Sequence, residues 1–180
     1  YDAAISGYLS GRNDDGSRQT YPLYLTLPFE RAYGLRYGEN PHQSGAFYVE
    51  RNAAPGSLAR AESLGAGGKE LSFNNLLDLD SAVTLARDFD RPAAVIVKHN
   101  NPCGAAIGDT IVEAFGRAFA CDPLAAFGGI IAIRGTVDGA LASLVLQHFV
   151  EVVAADDFTR EAIDFFGKKP NIRLLKVPVS

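Results

Sequence analysis

Lys98-His99-Asn100-Asn101-Pro102-Cys103-Gly104 gathers a cation, an imidazole, amides, a thiol and turn residues in one short span. Three chemistries can be built from it. A zinc deaminase site needs His-x-Glu followed by Pro-Cys-x-x-Cys, the metal activating water and the glutamate moving protons. Pro102-Cys103 echoes that pattern, but Asn101 stands where the glutamate is needed and Ala106 where the second cysteine is needed. Cys121 is the one other cysteine, so no metal is expected. A Cys–His nucleophile is the second option, with Cys103 four residues from His99 but no acid close by to orient the imidazole. The third is general acid–base chemistry by Lys98 and His99. It needs no metal, and an unperturbed imidazole titrates close to neutrality.

Each group also has a plainer reading. A Lys-His pair at a strand end is commonly just solvated. Asn-Pro and Cys-Gly are ordinary turn dipeptides, and a lone cysteine such as Cys103 is by default a small buried hydrophobe. His42, after Pro41, suits a loop hydrogen bond. His148 suits a helix C-terminus, where a cation is favourable.

The elements that must position these groups follow from periodicity. Ala93–Val97 is a short apolar run, β-branched at Val95, Ile96 and Val97, and is expected to be a strand buried on both faces. It leads straight into Lys98 and His99. A second buried strand is expected over Gly129–Ile133, entered through Gly128. A third is expected over Val150–Ala154, with Glu151 as an acid inside an apolar run, and a last one over Ile172–Val177. Helices are expected between them. Leu76, Leu79, Val83 and Ala86 share a helical face after the cap candidates Asn74 and Asn75. Ile111, Ala114, Phe115 and Ala118 follow the cap candidate Asp109, and Leu141, Leu144 and Val145 follow Asp138. Thr159–Phe166 completes the set. This alternation implies an α/β fold with a mostly parallel sheet, in which ligands bind beyond strand carboxyl ends.

The first part of the chain is less regular. Residues 1–9 look like the last turns of a helix, and 10–18 like a linker. Tyr21, Leu23, Leu25 and Leu27 alternate as in a half-buried strand. Residues 34–43 read as a loop, Ala46–Val49 as a short strand, and 51–70 as a loop containing Gly65-Ala66-Gly67-Gly68.

Composition narrows the classes of function. The 180 residues carry a net charge of −4, which disfavours binding nucleic acid through a basic face. No apolar run approaches the ~20 residues of a membrane helix. The two cysteines suggest a reducing, cytoplasmic setting. There is no methionine, so the chain is expected to be a piece of something longer.

Four blocks occur in order: Leu35-Arg36-Tyr37-Gly38-Glu39-Asn40-Pro41-His42-Gln43, Gly68-Lys69-Glu70-Leu71-Ser72-Phe73-Asn74-Asn75, Lys98 to Gly104, and Asp122-Pro123-Leu124-Ala125-Ala126-Phe127-Gly128-Gly129. Together they resemble the transformylase part of the bifunctional purine-biosynthesis family, in which AICAR formyltransferase is joined to IMP cyclohydrolase. The resemblance implies a cytidine-deaminase-like layered α/β fold without the zinc site. Residues 1–20 would be the end of the cyclohydrolase and a linker, and 21–180 the first of two similar halves of the transformylase. It implies a cytoplasmic enzyme transferring a formyl group from 10-formyltetrahydrofolate to the 5-amino group of AICAR, as a homodimer with sites at the subunit interface. It involves neither nucleic acid nor a membrane. On the matching motifs, His99 is implied to be catalytic with Lys98. Arg36, Tyr37, Asn75, Gly128 and Glu151 are implied to bind substrate.

Overall fold

The computed structural model describes residues 1–64 and 70–179. The glycine-rich stretch Gly65–Gly68, expected to be a loop, lies outside them.

The order of elements is α1 (Asp2–Ser10), β1 (Glu30–Leu35), β2 (Gly45–Val49), a 3₁₀ turn (Leu58–Arg60), β3 (Glu62–Ser63), α2 (Phe73–Arg87), β4 (Ala93–Lys98), β5 (Asn101–Ile107), α3 (Ile111–Cys121), β6 (Gly129–Val137), α4 (Gly139–Val145), β7 (Val150–Phe158), α5 (Arg160–Phe166) and β8 (Arg173–Lys176). Six strands form one sheet in the order β3-β8-β7-β6-β4-β5, and β1 and β2 form a separate hairpin.

Layering follows from which side chains the strands bury. Val95, Val97, Ile130, Ala132, Val152 and Ala154 pack with Leu79, Ala82, Val83 and Ala86 of α2. On the opposite face Ile96, Ile131, Ile133 and Val153 pack with Ala114, Phe115 and Ala118 of α3, Leu141 and Val145 of α4, and Ala162 and Phe166 of α5. The result is the layered α/β arrangement that the strand–helix alternation implies.

Pairing within the sheet is mixed. β6 with β7 and β7 with β8 are parallel, whereas β4 is antiparallel to both β5 and β6, and β3 to β8. The cause is a strand that periodicity does not reveal. Asn101–Ile107 folds back on β4 as β5, so the crossover through α3 starts from a reversed chain. Gly104 permits this layer to form. A Cβ there would collide with the carbonyl oxygen of Ala118, so only glycine lets α3 press onto β5.

Three local expectations are corrected. Residues 21–27 form no strand. Leu23 is 86% and Leu25 72% exposed, and alternation without a partner strand does not make a sheet. The cap of α2 is Ser72, whose hydroxyl accepts from Asn75 N while the Asn75 side chain accepts from Ser72 N, so Asn75 is the inner member of a capping box. The cap of α3 is Thr110, which accepts from Glu113 N, while Asp109 pairs with Arg91. Asp138 caps α4 as expected.

Candidate active site at the strand ends around Lys98 and Glu151

Because β4 runs antiparallel to β6, its carboxyl end meets the amino ends of β6 and β7, and β8 begins beside them. Of the residues expected at the site, only Lys98 lies at a strand carboxyl end. Gly128, Glu151 and Arg173 arrive from amino ends.

The centre is a charge-paired cluster. Lys98 Nζ donates to the Gly128 carbonyl at 2.7 Å and lies 3.9 Å from Glu151 Oε1. Asn75 Nδ2 donates to Glu151 Oε2 at 3.1 Å. Arg173 sits 3.5 Å from the same oxygen and donates to the Glu151 carbonyl at 3.4 Å and to the Glu70 carbonyl at 3.1 Å. The acid is thus held from three elements, and the ammonium is left with a fixed direction. Burial draws the Arg173 guanidinium below its ordinary pKa, and the Glu151 charge works against that.

Gly128 makes the ammonium's seat possible. Its φ is +69°, the left-handed region, and its N–H donates to the Phe149 carbonyl at 2.8 Å. A Cβ at this position would lie 3.1 Å from the Phe149 ring and 3.2 Å from Lys98 Nζ.

Arg36 and Tyr37 open the loop between β1 and β2. Backbone bonds from Arg36 N to the Leu71 carbonyl (3.0 Å) and from Phe73 N to the Tyr37 carbonyl (3.2 Å) bind this loop to the start of α2. Arg36 donates to the Tyr37 hydroxyl at 3.0 Å. That bond, with a second from Ser72, holds the phenol below its ordinary pKa. The Glu151 charge reaches Tyr37, and the Arg36 charge reaches Arg173, so loop and cluster share one electrostatic environment. Between them lies a cavity of about 600 Å³ lined by Arg36, Phe149, Glu151, Lys168, Lys169 and Arg173.

His99 sits apart from these contacts. With Asn100 it forms the two-residue turn of the β4–β5 hairpin, at φ 53° and 61°. Positive φ at both positions is what a type I′ turn requires, and it costs a non-glycine residue about 1–2 kcal/mol. The imidazole is exposed, one residue from the seated ammonium.

Cys103 is a poor candidate nucleophile. Its thiol donates to the Ile96 carbonyl at 3.4 Å, and burial pushes its pKa up. No group of three or more His, Cys, Asp or Glu side chains that could hold a metal is gathered among the described residues. Sequence reasoning missed Arg173. A guanidinium inside the apolar run Ile172–Val177 needs a buried partner, and that was the available signal.

A layered α/β sheet with Lys98, Glu151 and an exposed histidine turn at one end defines a protein with a polar cleft built from strand ends. The family described as AICARFT/IMPCHase bienzyme matches residues 1–180, and the chain belongs to it. The chain is 55% identical over 180 residues to the bifunctional purine biosynthesis protein PurH of Sorangium cellulosum (strain So ce56), covering 97% of this chain and 34% of that protein. It is 49% identical over 183 residues to the protein of that name from Xanthomonas oryzae pv. oryzae (strain KACC10331 / KXO85), covering 99% of this chain and 34% of the relative. The chain spans about a third of the length of the curated relatives it matches.

Proposed function

We propose that residues 21–180 form the first half of an AICAR formyltransferase, preceded over 1–20 by the end of a cyclohydrolase and a linker. The whole enzyme acts in the cytoplasm as a homodimer with its sites at the subunit interface. It moves a formyl group from 10-formyltetrahydrofolate to the 5-amino group of AICAR. The observation that carries this reading is the seating of Lys98 between the Gly128 carbonyl and Glu151, next to the His99 turn.

The AICAR amine is conjugated with its ring and is a poor nucleophile. As its nitrogen bonds to the formyl carbon it must lose a proton, and the formyl oxygen becomes an oxyanion. The intermediate collapses by breaking the bond to N10 of the folate, which takes up a proton. His99 accepts the proton through the AICAR carboxamide. Lys98 faces the oxyanion and supplies the proton to the leaving nitrogen. Groups in such roles contribute roughly 10²–10⁴-fold each. Arg36 and Tyr37 hold the nucleotide, the guanidinium by bidentate hydrogen bonding to phosphate or another planar acceptor. Gly128, Asn75 and Glu151 complete its pocket.

The one-third coverage of the relatives favours a second reading for residues 1–180 in isolation, a nucleotide-binding half without turnover. Without the folate pocket the formyl donor is not held in reach, and proximity is worth up to ~7–11 kcal/mol of barrier. Tetrahydrofolate release from AICAR and 10-formyltetrahydrofolate tests both. The full-length protein is expected to turn over and residues 1–180 to fall short by far more than tenfold. A full-length protein without formyl transfer overturns the first reading, and a fragment within about tenfold of it overturns the second.

A further inference from the structure

His99 and Asn100 are consecutive non-glycine residues in the left-handed region, and such outliers persist only where surrounding structure holds them. Here the holding group is identifiable. Asp78 on α2 accepts a hydrogen bond from Asn100 N at 2.6 Å. Ser81, three residues further on the same helix face, donates its hydroxyl to Asn100 Oδ1. Asn101 Nδ2 closes the far side on the His99 carbonyl at 2.9 Å.

Asp78 is only 8% exposed. It takes part in no ion pair among the described residues. A buried carboxylate without a counter-cation is expensive to keep. Its cost is offset by the hydrogen bond it accepts from Asn100 N, at the second of the turn's two left-handed residues. A shorter path to the same hairpin would be Asn-Gly, the dipeptide that type I′ turns favour. This chain has His-Asn instead, and so needs an external clamp.

We propose that Asp78, assisted by Ser81, is a positioning residue that fixes the His99–Asn100 turn and thereby the direction of the His99 imidazole. The assignment rests on the formyl-transfer reading for its consequence, but not for the clamp itself. Asp78 acts through the backbone of Asn100.

The test has one arm that is independent of activity. Amide hydrogen exchange at Asn100 in the full-length protein is expected to quicken by about tenfold or more in Asp78→Ala, since the acceptor is charged. Unchanged exchange overturns the clamp whether or not formyl transfer is the activity. In the second arm Asp78→Ala lowers kcat for formyl transfer by about tenfold to a hundredfold, with KM for AICAR changed less than threefold. Adding Asn100→Gly to Asp78→Ala restores most of kcat, because glycine adopts the left-handed conformation without help. A loss that glycine does not rescue overturns the positioning role. Should Asp78→Ala unfold, Asp78→Asn takes its place. It keeps an acceptor oxygen without the charge, exchange at Asn100 rises severalfold, and wild-type exchange overturns the assignment.

Discussion

Arg173 grips Glu151 at both ends of the residue, its guanidinium 3.5 Å from Oε2 and 3.4 Å from the backbone carbonyl. The two lie on neighbouring parallel strands, where Val152 is paired with Arg173. The guanidinium is almost fully enclosed, while the carboxylate keeps about a quarter of its side chain in solvent (8% against 28% exposed). The more expensive charge to strand is therefore the arginine.

Glu151→Gln and Arg173→Met are each expected to destabilise the fold by roughly 1–3 kcal/mol, less than a fully buried pair because of the solvent at Glu151. The double variant is expected to cost less than the sum of the two. Urea unfolding of the four proteins measures this. Strict additivity would mean that the two side chains do not interact.

Gly128→Ala is expected to cost about 1–2 kcal/mol from the left-handed backbone alone. Its new methyl also meets Phe149 and Lys98 Nζ at 3.1 and 3.2 Å, so the ring and the ammonium must each shift by a few tenths of an ångström at the Gly128 seat. A lower thermal midpoint together with reduced formyl transfer in the full-length protein is the expected pair of results. Full activity at a lowered midpoint would show that Lys98 does not need this seat.

Much of this arrangement was legible in the chain. The strand at 93–98 announced itself through Val95, Ile96 and Val97, and Lys98 and Glu151 were recognisable because they end or interrupt an apolar run, Gly128 because it leads into one. The meeting of those ends was not legible. It depends on β4 running against β6, and that depends on β5, whose Asn-Pro and Cys-Gly dipeptides look like turns rather than strand. The alternation of Tyr21, Leu23, Leu25 and Leu27 was misleading for the opposite reason. Period two describes a chain ready to pair, and the described residues supply no neighbour to pair with. Asp78 was hidden because its role is made by a partner 22 positions away.

Lys98→Met in the full-length protein is expected to lower kcat for formyl transfer by roughly 10²–10⁴-fold. It keeps an unbranched side chain only one atom shorter and removes the charge that Gly128 and Glu151 hold. His99→Ala is expected to fall in the same range while leaving the unfolding midpoint nearly unchanged, because the imidazole is exposed. Near-normal turnover in either variant removes that residue from the mechanism.

His148 gives the fold a pH dependence of its own. Its ring stacks on Phe119 with centroids 3.8 Å apart and lies 6.1 Å from Phe115. Burial in this aromatic setting, and secondarily the charge of Lys169, holds its pKa below the ordinary histidine value. The folded state therefore prefers the neutral imidazole. As pH falls through about 6.5 the unfolded chain takes up the proton first, so stability that is present above this value is progressively lost until the folded histidine also titrates. His148→Phe keeps an aromatic ring against Phe119 and removes the proton site. The wild type is expected to lose more stability than His148→Phe between pH 7.5 and about pH 5, so its urea midpoint should fall relative to that of the variant across that window. Carboxylates common to both proteins cancel in the difference. Parallel pH profiles would show that the folded protein holds no preference for the neutral ring.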